Sequence, residues 1–333
     1  MSKPSVEAVW KSNSKELLNI LEKGVFTPKH KKIRFYAPSF TYYKTKYYCS
    51  SPTSFPTISV TGTSCALNCK HCGGKVLETM HPALQPTKLF ELCVRLKRDG
   101  AVGCLISGGC LPDGSVPLGG FADAIGKIRR ELGLTVFVHT GILNFGTAFA
   151  LKRAGVDAAL IDVIGSTETI EKTLNLDVTP KDYANSLKAL EKSGLNFVPH
   201  VIIGLNEGKL DGELEALKMV REVKPSALVI IAFMPLRGTA MEKTAPPKPE
   251  DIAKVTSIAR LMFPETPLIL GCMRPKGTAR SETDVLALKA GVDAVAFPSE
   301  EAIKYAECKG WKTSFSSYCC AQMYFDAAWE IGK

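Results

Sequence analysis

The 333-residue sequence has no run of 18 or more apolar residues, so no membrane-spanning helix is expected. Its opening, Met1 to Glu7, lacks the apolar stretch of a signal peptide. There is no arginine-rich tract and no aromatic–basic RNA-binding motif. The net charge of +9 therefore does not by itself call for nucleic acid. An evenly basic surface accounts for it, as does a basic face that meets an acidic protein. Against these absences stand eleven cysteines and an apolar content of 45%. With no leader in view, so many cysteines point to free thiols and metal ligands in a reducing cytoplasm. The length suffices for one large barrel or two smaller domains.

Residues 57–75 organise the rest. Thr57 to Gly62 reads as a buried strand, rich in β-branched residues and ending on glycine. Cys65, Cys69 and Cys72 follow on a loop with C-x3-C-x2-C spacing. Three soft thiolates so close together can hold three irons of a [4Fe–4S] cube and leave the fourth iron open. The competing reading is a zinc site, which more often shows two C-x2-C pairs; only one is present.

Downstream, apolar strand patterns alternate with helical ones. The strands read 103–109, 135–141, 158–165, 196–204, 227–233, 267–273 and 294–299, in addition to 57–62. Near-continuous apolar runs are what parallel strands need when helices cover them. Eight strand–helix units in this length predict a (β/α)8 TIM-type barrel, with its chemistry at the C-terminal ends of the strands. The barrel is expected over 57–310. An N-terminal extension, 1–56, precedes it, with amphipathic helical pattern over 5–24 and an irregular Tyr/Lys-rich segment over 27–56. A tail, 311–333, follows.

The cysteine spacing directly after a strand resembles the radical SAM superfamily. Several strand ends extend the likeness. Ser107-Gly108-Gly109-Cys110 is similar to the family's GGE-type turn, with Cys110 where an acid is common. His200 to Glu207 resembles the I-x-G-x-x-E segment of biotin synthase relatives, and Phe233 to Thr239 their N-P-L-x-G-T turn. The family's aromatic before the third cysteine is His71 here. The resemblance implies that Cys65, Cys69 and Cys72 ligate a catalytic [4Fe–4S] cluster. It implies S-adenosyl-L-methionine as the second cofactor, framed by His71, Ser107, Gly108, Gly109, His139, Asp162, Ile203 and Glu207. Asp162 is an acid inside an apolar strand, costly unless partnered. Ribose hydroxyls or a neighbouring barrel side chain would serve. His139 and His200 are either cavity-facing or satisfied core residues.

Four cysteines remain to be explained at the mouth of such a barrel: Cys49, Cys272, Cys319 and Cys320. If they converge, they would ligate a second, auxiliary [4Fe–4S] cluster, with Ser316 or Ser317 as oxygen ligand. Ser316-Ser317-Tyr318 looks like the C-terminal R-S-S-Y of lipoyl synthase, with Phe315 in place of the arginine. The C-x4-C-x5-C of bacterial lipoyl synthase is absent. The remaining pattern looks most like the two-protein, chiefly archaeal lipoyl synthases. That likeness implies sulfur insertion into an octanoyl chain on a lysine of a lipoyl-carrier protein. It also implies a paralogous radical SAM partner subunit and a reductant such as ferredoxin, with neither nucleic acid nor membrane involved. A biotin-synthase-like maturase without sulfur insertion and a non-catalytic Fe–S scaffold are the alternatives. Arg237 and Arg274, at strand ends, are candidates for binding a carboxylate or a cluster edge, or for ordinary surface ion pairs.

Overall fold

Strands form where apolar residues can bury on both faces, and the structure shows why these runs are nearly continuous. The computed structural model describes residues 3–28 and 31–326. Eleven strands make one sheet: β1 (Lys32–Tyr36), β2 (Thr57–Ser59), β3 (His81–Pro82), β4 (Gly103–Ser107), β5 (Thr135–His139), β6 (Ala158–Val163), β7 (Phe197–Ile203), β8 (Leu228–Ala232), β9 (Leu268–Leu270), β10 (Ala294–Ala296) and β11 (Lys312–Ser316). Their order is β11-β1-β10-β9-β8-β7-β6-β5-β4-β2-β3. The ladders between them are parallel.

Helices return the chain between strands. Pro86–Arg98 leads into β4, and each strand from β4 to β10 is followed by one: Ala122–Lys127, Phe145–Arg153, Pro180–Ser193, Glu213–Arg221, Pro249–Met262, Thr278–Lys289 and Glu300–Cys308. Pro180–Ser193 illustrates the local causes. Pro180 occupies the first turn, where its missing N–H costs nothing. Asp182 reaches back to accept from the Thr179 N–H at 2.9 Å. Tyr183, Leu187 and Leu190 recur at helical spacing and are buried, and Gly194 ends the helix at φ +69°. The eight expected strand–helix units are thus β2 and β4 to β10, and the fold is a TIM-type barrel.

Side chains alternate between two cores. Ile106, Val138, Ile161, Val201, Ile203 and Ile230 pack outward with the helices. Phe137, Leu160, Val198, Val229 and Ile269 pack inward. Each such side chain contributes about 1.5–3 kcal/mol on full burial, so both faces favour the same strands.

The segment expected to be irregular over 27–56 instead supplies β1, seated between β10 and β11. Ile33 and Phe35 bury on the helix side while Tyr36 turns inward. The sheet therefore extends past the expected 57–310 limits at both ends, since β11 belongs to it as well. Among the described residues no ladder joins β2 to β11. Side chains bridge the gap: Phe55 and Tyr318 lie 5.8 Å apart by ring centroid, and Ser54 Oγ donates to the Ser317 carbonyl at 3.4 Å. After β11 the tail turns into the barrel, where Cys319, Cys320 and Ala321 are buried. It is tied down by Tyr36, which donates to Asp326 at 2.6 Å, and by Tyr324, which donates to the Asp157 carbonyl at 2.9 Å. Residues 327–333 of the expected tail lie outside the described residues. No helix among the described residues is long and apolar enough to cross a membrane.

Candidate functional site

The loop after β2 is shaped by its own backbone and by the neighbouring strand end. Ser59 Oγ donates to the Gly62 carbonyl at 2.6 Å. The Gly109 N–H donates to Thr61 Oγ1 at 2.7 Å, and the Ala66 N–H to the Cys110 carbonyl at 2.8 Å. A side chain at Gly109 has no room: its Cβ would lie 2.6 Å from that of Cys65. This glycine lets the end of β4 press directly on the cysteine loop. Asn68 takes a left-handed φ of +47° in mid-loop, and the Gly73 N–H closes the turn onto the Cys69 carbonyl at 2.7 Å.

Cys69, His71 and Cys72 bring ligand atoms within 4.8 Å of one another. Cys69 is buried; Cys65 and Cys72 are partly open. Hydrogen bonds from Cys69 and His71 pull the Cys72 thiol down to about 4, while the same shared proton and burial push Cys69 far up. The loop is thus a soft donor set in which Cys72 gives up its proton most readily, and such a set fits an iron–sulfur cluster or zinc. Cys110, given no role from sequence, lies beside this loop. Burial first, then the Cys65 thiol and Asp162, raise it to about 12. The adjacency of Gly108-Gly109 to the loop was the available signal.

Other expected residues gather at the same end of the barrel. Ser107 Oγ donates to the His139 carbonyl at 3.0 Å. Ile203 is fully buried in the outer core. Glu207 sits exposed on the turn after β7, at φ +51°. On the inner wall, Asp162 and His200 are register partners across β6 and β7, and His139 Nε2 lies 3.4 Å from Asp162 Oδ1. Burial alone would raise the Asp162 carboxyl, but His139, His200 and His71 hold it below its ordinary value. Burial opposes charge on His139, yet Asp162 outweighs it and raises the ring. His200 is pushed down to about 4 by burial.

The auxiliary-ligand candidates divide. Cys319 and Cys320 are adjacent thiols buried in the inner core, and sharing a proton lowers Cys319 and raises Cys320. Cys272 faces them: burial and the Cys319 thiol raise it to about 11. Ser317 stands just before them, half-buried. Cys49 does not join. It is exposed, pairs with Lys44 in an isolated antiparallel bridge, and its thiol donates weakly to the Ser50 carbonyl at 3.8 Å. The local hairpin-like turn holds it away from the interior. Arg274 is likewise corrected. It is wholly buried, with Nε donating to Asp284 at 2.7 Å and the guanidinium also meeting the Gly271 and Phe297 carbonyls. Three of its five N–H donors thus go to protein oxygens, and it pairs with Asp284 in the interior and not at the surface. Arg237 is exposed.

The family model described as the Radical SAM superfamily matches residues 59–230. Biotin synthase of Leptospira biflexa is 26% identical over 218 residues, 63% of this chain and 60% of that protein. Biotin synthase of Neorickettsia sennetsu is 25% identical over 250 residues, 72% of this chain and 74% of that protein. Against the Leptospira protein, the chain thus spans under two thirds of its relative's length. Among solved structures, methylornithine synthase superposes with a TM-score of 0.62 at 15% identity, covering 94% of each chain. The [FeFe]-hydrogenase maturase of Carboxydothermus hydrogenoformans superposes with a TM-score of 0.63 at 15% identity, covering 94% of this chain and 76% of that one. At these identities the structural likeness concerns the fold.

Proposed function

The chain belongs to the radical SAM superfamily and is a radical SAM enzyme, and from that premise we propose that its reaction is sulfur insertion into a protein-bound octanoyl chain, as one component of a lipoyl synthase. Cys65, Cys69 and Cys72 would hold the [4Fe–4S] cluster that the family implies. His71, Ser107, Gly108, Gly109 and Glu207 would frame S-adenosylmethionine; the Ile203 side chain, expected beside them, packs outward under the helices instead. Together these cofactors supply, when bound, a 5′-deoxyadenosyl radical able to take hydrogen from an unactivated C–H bond. His139 and Asp162, expected beside them, form a group with His200.

The observation that supports the sulfur-insertion reading is that Cys272, Cys319 and Cys320 all belong to the inner core of the barrel, with the Cys319 thiol acting electrostatically on Cys272 and His139 acting on Cys319. These thiols would hold a second cluster as sulfur source, with Ser317 or Ser316 adding an oxygen ligand and Cys49 left out. The chain's own part is enclosure. Phe55 packs on Phe137 and Tyr318, at centroid distances of 5.7 and 5.8 Å, in the same inner core as Cys319 and Cys320. The basic surface would receive an acidic lipoyl-carrier protein, and a paralogous subunit and a reductant such as ferredoxin would complete the system.

The test is iron and sulfide analysis after anaerobic reconstitution, paired with an octanoyl-lysine carrier assay. The expected result is about eight irons per chain, falling to about four in Cys319→Ala/Cys320→Ala. That variant should still form 5′-deoxyadenosine but lose the sulfur-bearing product. About four irons in wild type, unchanged in the variant, would remove the sulfur source and favour a maturase-like reaction without sulfur insertion.

A further inference from the structure

His139 ends β5, Asp162 is next to last in β6 and His200 lies midway along β7, on three neighbouring strands of the sheet. Their ligand atoms all lie within 4.8 Å of one another. Three features go beyond mere proximity. First, His200 Nδ1 is 3.0 Å from the Val198 carbonyl. A carbonyl can only accept, so Nδ1 carries the proton and Nε2 keeps its lone pair. This is the arrangement in which a backbone carbonyl orients a metal-ligating histidine. Second, Asp162 Oδ1 is buried with no hydrogen-bond partner; His139 Nε2 approaches it only to 3.4 Å. The oxygen thus has a charged neighbour but no hydrogen bond, and a bound cation would satisfy it more fully. Third, the two imidazole rings meet edge-on at 5.7 Å between centroids, both within reach of that carboxylate. The β ladders hold all three residues, so the geometry needs no mobile loop.

We propose that His139, Asp162 and His200 bind one divalent first-row transition-metal ion, separate from the iron–sulfur site on the cysteine loop. Two imidazoles and one carboxylate suit zinc or ferrous iron. Three protein ligands leave a coordination position open toward the barrel interior, where the ion would anchor an anionic or sulfur-bearing group of the substrate. This assigns Asp162 and His139 to a metal in place of the nucleoside contacts expected from sequence. The proposal does not depend on sulfur insertion, because its readout is bound metal and not product.

The experiment uses cluster-loaded protein, so that the Cys69–His71–Cys72 group is already occupied. Zinc serves as the probe because its absorption edge is distinct from that of the cluster iron. After anaerobic exposure to Zn²⁺ and desalting, wild type should retain about one zinc per chain with a first shell of nitrogen and oxygen by X-ray absorption. His200→Gln and Asp162→Asn should bind zinc at least about tenfold more weakly, with iron content and circular dichroism matching wild type. Should one variant not fold, the wild-type shell and the His139→Gln variant decide. No retained zinc, a sulfur-dominated shell, or variants that bind zinc like wild type would overturn the proposal.

Discussion

Two groups of thiols in this molecule are built in opposite ways. Cys65, Cys69 and Cys72 arrive on one short loop, shaped by Asn68 and Gly73 and pressed by Gly109 from the neighbouring strand. Cys272, Cys319 and Cys320 share one core only because the end of β9 and the tail after β11 turn into the same interior. The loop depends on local hydrogen bonds and one close glycine contact. The tail group depends on long-range anchors: the buried Arg274–Asp284 pair beside it and the Tyr36–Asp326 bond below it. Spacing in sequence therefore describes the first group, while the second is a property of closure. Four changes would break or sharpen this contrast.

Loss at the loop should have the largest effect. Cys69→Ala should abolish bound iron at the loop and reduce S-adenosylmethionine cleavage to background, as followed by 5′-deoxyadenosine, while the fold measured by circular dichroism stays intact. Retained cleavage would overturn the ligand assignment.

Asp284→Ala should act on the tail side through stability. Both partners of the pair are inaccessible to solvent, and removing one leaves an uncompensated buried charge, which costs about 3–5 kcal/mol. Chemical denaturation should show it. A change within about 0.5 kcal/mol would mean that the pair is not what holds β9 against the tail.

Glu213 supplies a pH-dependent perturbation on the loop side of the barrel. It accepts from the Gly204 N–H at 2.8 Å, at the end of β7. Burial raises its carboxyl from 4.5 to about 7. Because the folded value is raised, the protonated form is favoured by folding. Its contribution is fully present below about 4.5 and is lost as pH rises through about 7, by up to about 3 kcal/mol. Glu213→Gln keeps the acceptor and removes the titration. Its stability relative to wild type should grow from pH 5 to pH 8 in denaturant titrations; a flat difference would refute the buried-acid account.

Tyr36→Phe should be the mildest. It deletes one hydrogen bond to a carboxylate, worth about 2 kcal/mol, and should speed proteolysis of the tail while leaving loop iron unchanged. Equal loss of loop and tail iron would erase the distinction between the two groups.

The barrel was legible because its strands bury two faces and its helices one, so each leaves its own period in the sequence. β1 was obscured because Lys32 and Arg34 interrupt its apolar residues, although Ile33, Phe35 and Tyr36 bury as a strand should. Cys49 counted with the tail cysteines only because composition carries no direction; its own turn keeps it outside. Arg274 is an ordinary cation in sequence and a fully enclosed one in the fold, since its partner Asp284 lies on the following helix.

By itself, the sequence determined the parallel α/β architecture and the C-x3-C-x2-C loop, because periodic burial and short ligand spacing are both local properties of the chain. Tertiary structure alone decided which thiols enter the inner core, that Arg274 is buried against Asp284, and that His139, Asp162 and His200 form one group. Those outcomes depend on strand order, register and the path of the tail, and these are fixed by packing between segments far apart in the chain.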